Sequence, residues 1–142
     1  MQAAVGLAQM DRLEGFISDR RQNFDYLTQA LKDLEDILIL PQATKNSNPS
    51  WFGFPITLRE GGSEKRDELV RYLDGNKIGT RLLFGGNLLK QPYMKGRHYR
   101  AVGEMTNSDT VMNSCFWIGL YPGLTSAHLD FTIETLRGFF GR

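Results

Sequence analysis

The feature that most constrains this chain is an apolar repeat at its amino-terminal end. Leu7, Met10, Leu13 and Ile17, then Phe24, Leu27, Leu31 and Leu34, recur every three or four residues with charged residues between them. That is the period of one helix face, and it predicts a single helix of about thirty residues. In a chain of 142 residues, such a helix tends to brace two parts of a larger protein or to pack on a partner. Phe16, Phe24 and Tyr26 fall on different faces of it, so apolar surface is expected to remain open and to favour self-association. Met1 to Met10 already have helical spacing with no N-cap ahead of them, which reads as the continuation of something longer.

Beyond this repeat, short apolar runs alternate with turn signals. Asp36–Leu40, ended by Pro41, reads as a strand, and residues 51–58 as a second, with Pro55 placing it at an edge or a bulge. Gly61-Gly62-Ser63 is a turn whose serine is expected to cap a helix from Glu64 to Asp74, with Leu69, Val70 and Leu73 facing inward. Ile78–Phe84 reads as a strand, Gly85-Gly86-Asn87 as a break, and residues 87–104 as an irregular loop. A capping-box-like pattern opens a short helix at Thr106–Asn113, Cys115–Leu120 is a further apolar strand, and Thr125 caps a final helix. With 41% hydrophobic residues there is material for one core. The expected class is α+β: a small, mostly antiparallel sheet with helices on one face and a long N-terminal helix.

Composition removes several kinds of chemistry. Cys115 is the only cysteine, so no disulfide framework exists, and with His98 and His128 alone beside it a structural zinc site lacks ligands. Cys115, between a helix and an apolar strand, reads as a buried structural residue, His128 as an exposed helix residue and His98 as a solvated loop residue. No apolar run approaches a membrane span, and the first residues lack a basic region followed by an apolar stretch. The expectation is a cytoplasmic domain. No nucleic-acid module matches, and a net charge of +1 argues against a nucleic-acid partner.

That near-neutral total conceals an asymmetry. Residues 1–62 carry six Lys/Arg against eight Asp/Glu, whereas residues 75–100 carry Lys77, Arg81, Lys90, Lys95, Arg97 and Arg100 with no carboxylate. Two readings stand: a solvated basic face paired with the acidic N-terminal third, or a site for a small phosphorylated ligand.

Three segments then carry a resemblance. Met1-Gln-Ala-Ala-Val-Gly-Leu-Ala-Gln-Met, Ile78-Gly-Thr-Arg followed by Gln91-Pro-Tyr, and Leu120-Tyr-Pro-Gly-Leu-Thr occur in this order over nearly the whole chain. They resemble the C-terminal small domain of the DegT/DnrJ-type nucleotide-sugar aminotransferases. Sugar aminotransferases tend to carry His and Tyr after the Gly-Thr, then Pro-Leu-His; this chain has Leu83, Phe84 and Asn87-Leu88-Leu89. With Pro49-Ser-Trp-Phe-Gly-Phe-Pro and Phe116-Trp-Ile-Gly, it is more similar to the branch of 3-dehydrases. These remove the C3 hydroxyl of a CDP-4-keto-6-deoxyhexose on the way to the 3,6-dideoxysugars of lipopolysaccharide O-antigen.

The resemblance implies pyridoxamine or pyridoxal phosphate as cofactor, an iron–sulfur centre, a reductase partner and a homodimer in the full-length enzyme. It also implies that the cofactor domain lies upstream of Met1 and that residues 1–142, as a single small domain, are inactive alone. No lysine here sits in a family Schiff-base motif, and one cysteine cannot hold a cluster. The alternatives are the same domain of an aminotransferase, or a stand-alone adaptor for a phosphorylated ligand or a protein. The expected substrate contacts are Arg81, whose fork of donors suits a diphosphate, Phe84 as a flat wall for a sugar ring or base, and Asn87 and Gln91 for sugar hydroxyls. The bland alternative pairs Arg81 with a carboxylate of the first helix and leaves Asn87 to cap the turn.

Overall fold

A computed structural model describes all 142 residues. The apolar repeat at the N-terminus forms two helices where one was expected: α1 (Gln2–Met10) and α2 (Leu13–Ala30), followed by a 3-10 turn at Lys32–Leu34. The break falls at Asp11 and Arg12. Its physical reason is the absence of anything to pack against. Residues 1–15 are all exposed, Leu7 at 72%, and burial begins only where Phe16 and Ile17 reach the body. From there Phe24, Leu27, Leu31 and Leu34 are buried, as their spacing requires.

Four strands form one antiparallel sheet in the order β1-β2-β4-β3. They are β1 (Leu38–Ile39), β2 (Gly53–Leu58), β3 (Thr80–Leu82) and β4 (Cys115–Gly119), each shorter than the apolar run that predicts it. The helices between and after them are α3 (Gly62–Gly75), α4 (Thr106–Ser114) and α5 (Ser126–Phe140). Phe54, Ile56 and Leu58 of β2 and Phe116 and Ile118 of β4 point to one face, where they meet Leu27 of α2, Leu69 and Leu73 of α3, and Leu129, Ile133 and Leu136 of α5. The alternate residues Pro55 and Trp117 point to the other face. The molecule is therefore α+β, with α2, α3 and α5 on one side of the sheet.

Pro55 lies in an interior strand, contrary to the edge expected for it. The reason is local. β1 pairs only with Thr57 and Leu58, so the side of β2 away from β4 is unpaired at Pro55 and its missing N–H costs no ladder bond. Two expected caps are also corrected. Ser63 lies inside α3, whose N-cap is Gly61 at φ 91°, and α4 starts from Met105 with no side-chain cap. The cap at Thr125 is as expected, and His128 completes it: its Nδ1 accepts from the Thr125 N–H at 3.1 Å.

Candidate functional site

The sheet face opposite α2, α3 and α5 carries Arg81, the first of the expected contacts. β3 enters it through a tight connection from α3. Asp74 Oδ1 accepts from both the N–H and the hydroxyl of Thr80 at 3.1 Å, which sets the start of the strand. Thr80 and Leu82 stand opposite Ile118 and Phe116 in the register, so Arg81, opposite Trp117, is turned to the open face. Pro55 stands opposite Trp117 from the other side. Pro55, Trp117 and Arg81 therefore form one row across three strands. Arg81 is exposed, forms no ion pair, and donates from Nη1 to the Thr80 carbonyl at 2.7 Å. The carboxylate partner of the bland reading is absent.

After β3 the chain turns at Phe84, which is 87% exposed and holds φ 49°. A bulky residue in the left-handed region costs about 1–3 kcal/mol and persists only where its surroundings enforce it. Here the Phe84 N–H donates to the Leu82 carbonyl at 2.8 Å, and Asn87 and Gln91 tie the loop that follows. Asn87 is 4% exposed; its Oδ1 accepts from the Leu89 N–H at 3.0 Å and its Nδ2 donates to Asp109 at 2.7 Å. Gln91 Nε2 donates to the Gly85 carbonyl. The two amides expected at sugar hydroxyls thus hold the loop together from inside, because a loop without strand partners has to satisfy its backbone with side chains. Asn87 has the capping role of the bland reading. Lys90 bonds to Asp109 at 2.9 Å, and this bond, followed by that from Asn87, holds the Asp109 carboxyl below the usual carboxylate range.

Between this loop and β2 lies a cleft of about 200 Å³. Phe52, Gly53, Pro55, Leu83, Phe84 and Trp117 line it, with Trp51 completing the lining. Phe52 and Trp117 meet with ring centroids 5.1 Å apart and planes at 53°. Residue spacing alone does not reveal this cleft. Its walls come from three separate segments, residues 51–55, 83–84 and 117, and the pairing of β2 and β3 with β4 brings them together. The remaining expectations for single residues hold: Cys115 is buried, with desolvation pushing its thiol up, and His98 and His128 are exposed.

The donor set does not fit pyridoxal phosphate. The cleft containing Lys77 and His128 has no carboxylate in its lining, and the one containing Arg21 and Asp25 has no lysine or histidine. Arg21 is itself committed, donating to the Asn48 carbonyl at 2.7 Å. An iron–sulfur cluster fits no better, since one buried thiol is the whole supply, and no three of His, Cys, Asp or Glu gather to hold a metal ion. No helix is long and apolar enough to cross a membrane.

The model of the DegT/DnrJ/EryC1/StrS aminotransferase family matches residues 1–137. The chain belongs to the DegT family. Similar DegT-family relatives include the lipopolysaccharide biosynthesis protein RfbH of Salmonella typhimurium, 57% identical over 99% of this chain and 32% of that protein. The dTDP-4-dehydro-2,6-dideoxy-D-glucose 3-dehydratase of Saccharopolyspora spinosa is 42% identical over 100% of this chain and 30% of its own length. Among solved structures, the GDP-4-keto-6-deoxy-D-mannose-3-dehydratase of E. coli with bound hydrated PLP superposes with a TM-score of 0.81 at 29% identity, over 94% of this chain and 34% of that one. The chain therefore spans about a third of the length of the DegT-family proteins it matches.

Proposed function

We propose that this chain is the substrate-side small domain of a pyridoxamine or pyridoxal phosphate-dependent 3-dehydrase. Its substrate is a CDP-linked 4-keto-6-deoxyhexose that loses its C3 hydroxyl, in the synthesis of 3,6-dideoxysugars for lipopolysaccharide O-antigen. The observation that carries the reading is a convergence. The two segments that carry the similarity to the 3-dehydrases, Pro49–Pro55 and Phe116–Gly119, supply Phe52, Gly53, Pro55 and Trp117 to one cleft. Leu83 and Phe84, which depart from the sugar aminotransferase pattern, line it too, with Arg81 beside Trp117 in the register. The identity of 42% to a protein named as a 3-dehydratase supports the same branch, while a GDP-4-keto-6-deoxy-D-mannose 3-dehydratase of Escherichia coli and a dTDP-4-amino-4,6-dideoxy-D-glucose transaminase of Shigella dysenteriae both stand at 29%.

In this reading Arg81 donates paired hydrogen bonds to the substrate diphosphate. Phe84 is an apolar wall, and Asn87 and Gln91 fix the loop that presents it. The cofactor and the iron–sulfur centre are held by residues outside this chain, in a longer cytoplasmic protein that forms a homodimer and takes electrons from a reductase. The 142 residues catalyse nothing alone.

The test supplies the longer protein containing this chain with pyridoxamine phosphate, CDP-4-keto-6-deoxyglucose, an electron donor of the reductase class and, in a second arm, glutamate, and follows the sugar by mass and NMR. Loss of the C3 oxygen supports the reading. Glutamate-dependent amination at C4 with C3 intact overturns it in favour of an aminotransferase.

A further inference from the structure

Trp117 stands at the centre of the open sheet face, between Pro55 on one neighbouring strand and Arg81 on the other. Gly53 is its seat. A Cβ at that position would lie 2.4 Å from Trp117 Cε3, so only glycine lets the indole approach the β2 backbone this closely. Phe52 meets the indole at a tilted 5.1 Å, and Phe84, exposed and in a left-handed backbone conformation, forms a further wall. The core does not call for this arrangement, since Phe54, Ile56 and Leu58 of β2 and Phe116 and Ile118 of β4 face the other way; of the β2 and β4 residues on this face only Cys115, two positions before Trp117, is buried.

The lining decides what fits. It has no charged side chain and no side-chain hydrogen-bond acceptor; the two indole N–H groups are its only side-chain polar atoms. A hexose in such a cleft would lose water from its hydroxyls without replacement, which is unfavourable. A nucleobase presents a flat π-face to the indole and keeps its polar edge in water. The cation in the row is one strand away, about 5 Å, and an arginine side chain reaches from there to a phosphate that a ribose separates from its base.

We infer that Trp117 is the platform on which the base of the nucleotide half of the substrate stacks, with Gly53 and Phe84 shaping the cleft and Arg81 taking the phosphates. The inference rests on the nucleotide-sugar reading above and adds to it a residue and a mode of binding. No side chain in the lining faces the base with a matching pattern of donors and acceptors, so this cleft holds a base by stacking without reading which one is present.

The experiment titrates the chain with CDP, UDP, ribose 5-phosphate and inorganic pyrophosphate, following indole fluorescence and the indole N–H resonance of Trp117. CDP and UDP are expected to bind within about threefold of each other. Ribose 5-phosphate and pyrophosphate are expected to bind at least about fivefold more weakly than CDP, the lower bound for one stacked base. Trp117→Leu should weaken CDP by at least about fivefold and leave pyrophosphate unchanged, while Trp117→Phe retains most of the affinity. Phe84→Ala, at an exposed position, should weaken CDP in the same direction and serves if Trp117→Leu does not fold. If CDP and pyrophosphate bind equally and only Arg81→Ala weakens them, the platform is wrong and the phosphate site stands. If Trp117→Leu weakens CDP and Arg81→Ala does not, the platform stands and the role of Arg81 is wrong. If wild type binds no CDP at millimolar concentration, both fall.

Discussion

Arg81 and Asn87 carry opposite kinds of work six residues apart, and single substitutions separate them. Arg81 has no carboxylate partner and makes one bond, to its neighbour's carbonyl. Arg81→Lys in the longer protein is expected to weaken nucleotide-sugar binding roughly tenfold, about 1.4 kcal/mol, with cofactor binding unchanged. Equal binding by equilibrium dialysis would make Arg81 structural. Asn87→Ala removes both the acceptor for the Leu89 N–H and the donor to Asp109 from a buried position. It should destabilise the fold by about 1–2 kcal/mol in urea titration. The Asp109 carboxyl, held below its usual range by Lys90 and then by Asn87, gives that loop a pH dependence. A depressed folded value means that the stabilisation is present above the unfolded pKa and lost as pH falls through the folded one. The loop should therefore loosen below about pH 4, seen as increased amide exchange at Leu89, and Asp109→Asn should remove that acid step.

Among the elements, the sheet is where short strands do most. β3 is three residues and β1 is two, yet the register of β3 on β4 alone turns Arg81 outward. A slip of one residue would send Arg81 to the core and Thr80 to the site. Gly53→Ala tests the close approach of β2 to Trp117. With a Cβ 2.4 Å from the indole the ring has to move, so the variant should fold with a changed Trp117 environment in near-ultraviolet circular dichroism. Unchanged spectra would show that the indole does not rest on Gly53. The helical side is tied down by longer-range bonds. Asn23 Nδ2 donates to the Tyr121 carbonyl at 3.1 Å, and Arg137 bridges the Ala30 carbonyl and Asp33, whose carboxyl is lowered chiefly by that arginine. These contacts join α2 to the chain around α5 and leave α1 untethered.

For the molecule as a whole, that untethered helix is the outstanding surface. Val5, Leu7 and Met10 of α1 are 63%, 72% and 60% exposed, and Leu13 at the start of α2 is 38% exposed, an apolar stretch larger than scattered surface residues explain. We expect the chain to self-associate at millimolar concentration in light scattering; a strict monomer there would show that water alone satisfies this face. Mixed with pyridoxal phosphate, the 142 residues should give no absorbance change that survives dialysis. A stoichiometric shift would place cofactor-holding groups within this chain.

What the sequence determined by itself was the local and periodic part. Phe24, Leu27, Leu31 and Leu34 declared a buried helix face by their spacing, and Thr125 declared a helix start, because both depend on neighbours within one or two turns. The same periodicity did not show the break at Asp11 and Arg12, since a repeat shows which residues share a face and says nothing of whether anything covers it. Pro55 was misplaced for a related reason: whether a strand is interior at one residue depends on how far its neighbour extends. The aromatic cleft was beyond sequence reasoning altogether. Phe52, Phe84 and Trp117 come from three separate segments, and only the antiparallel pairing of β2, β4 and β3 sets them side by side.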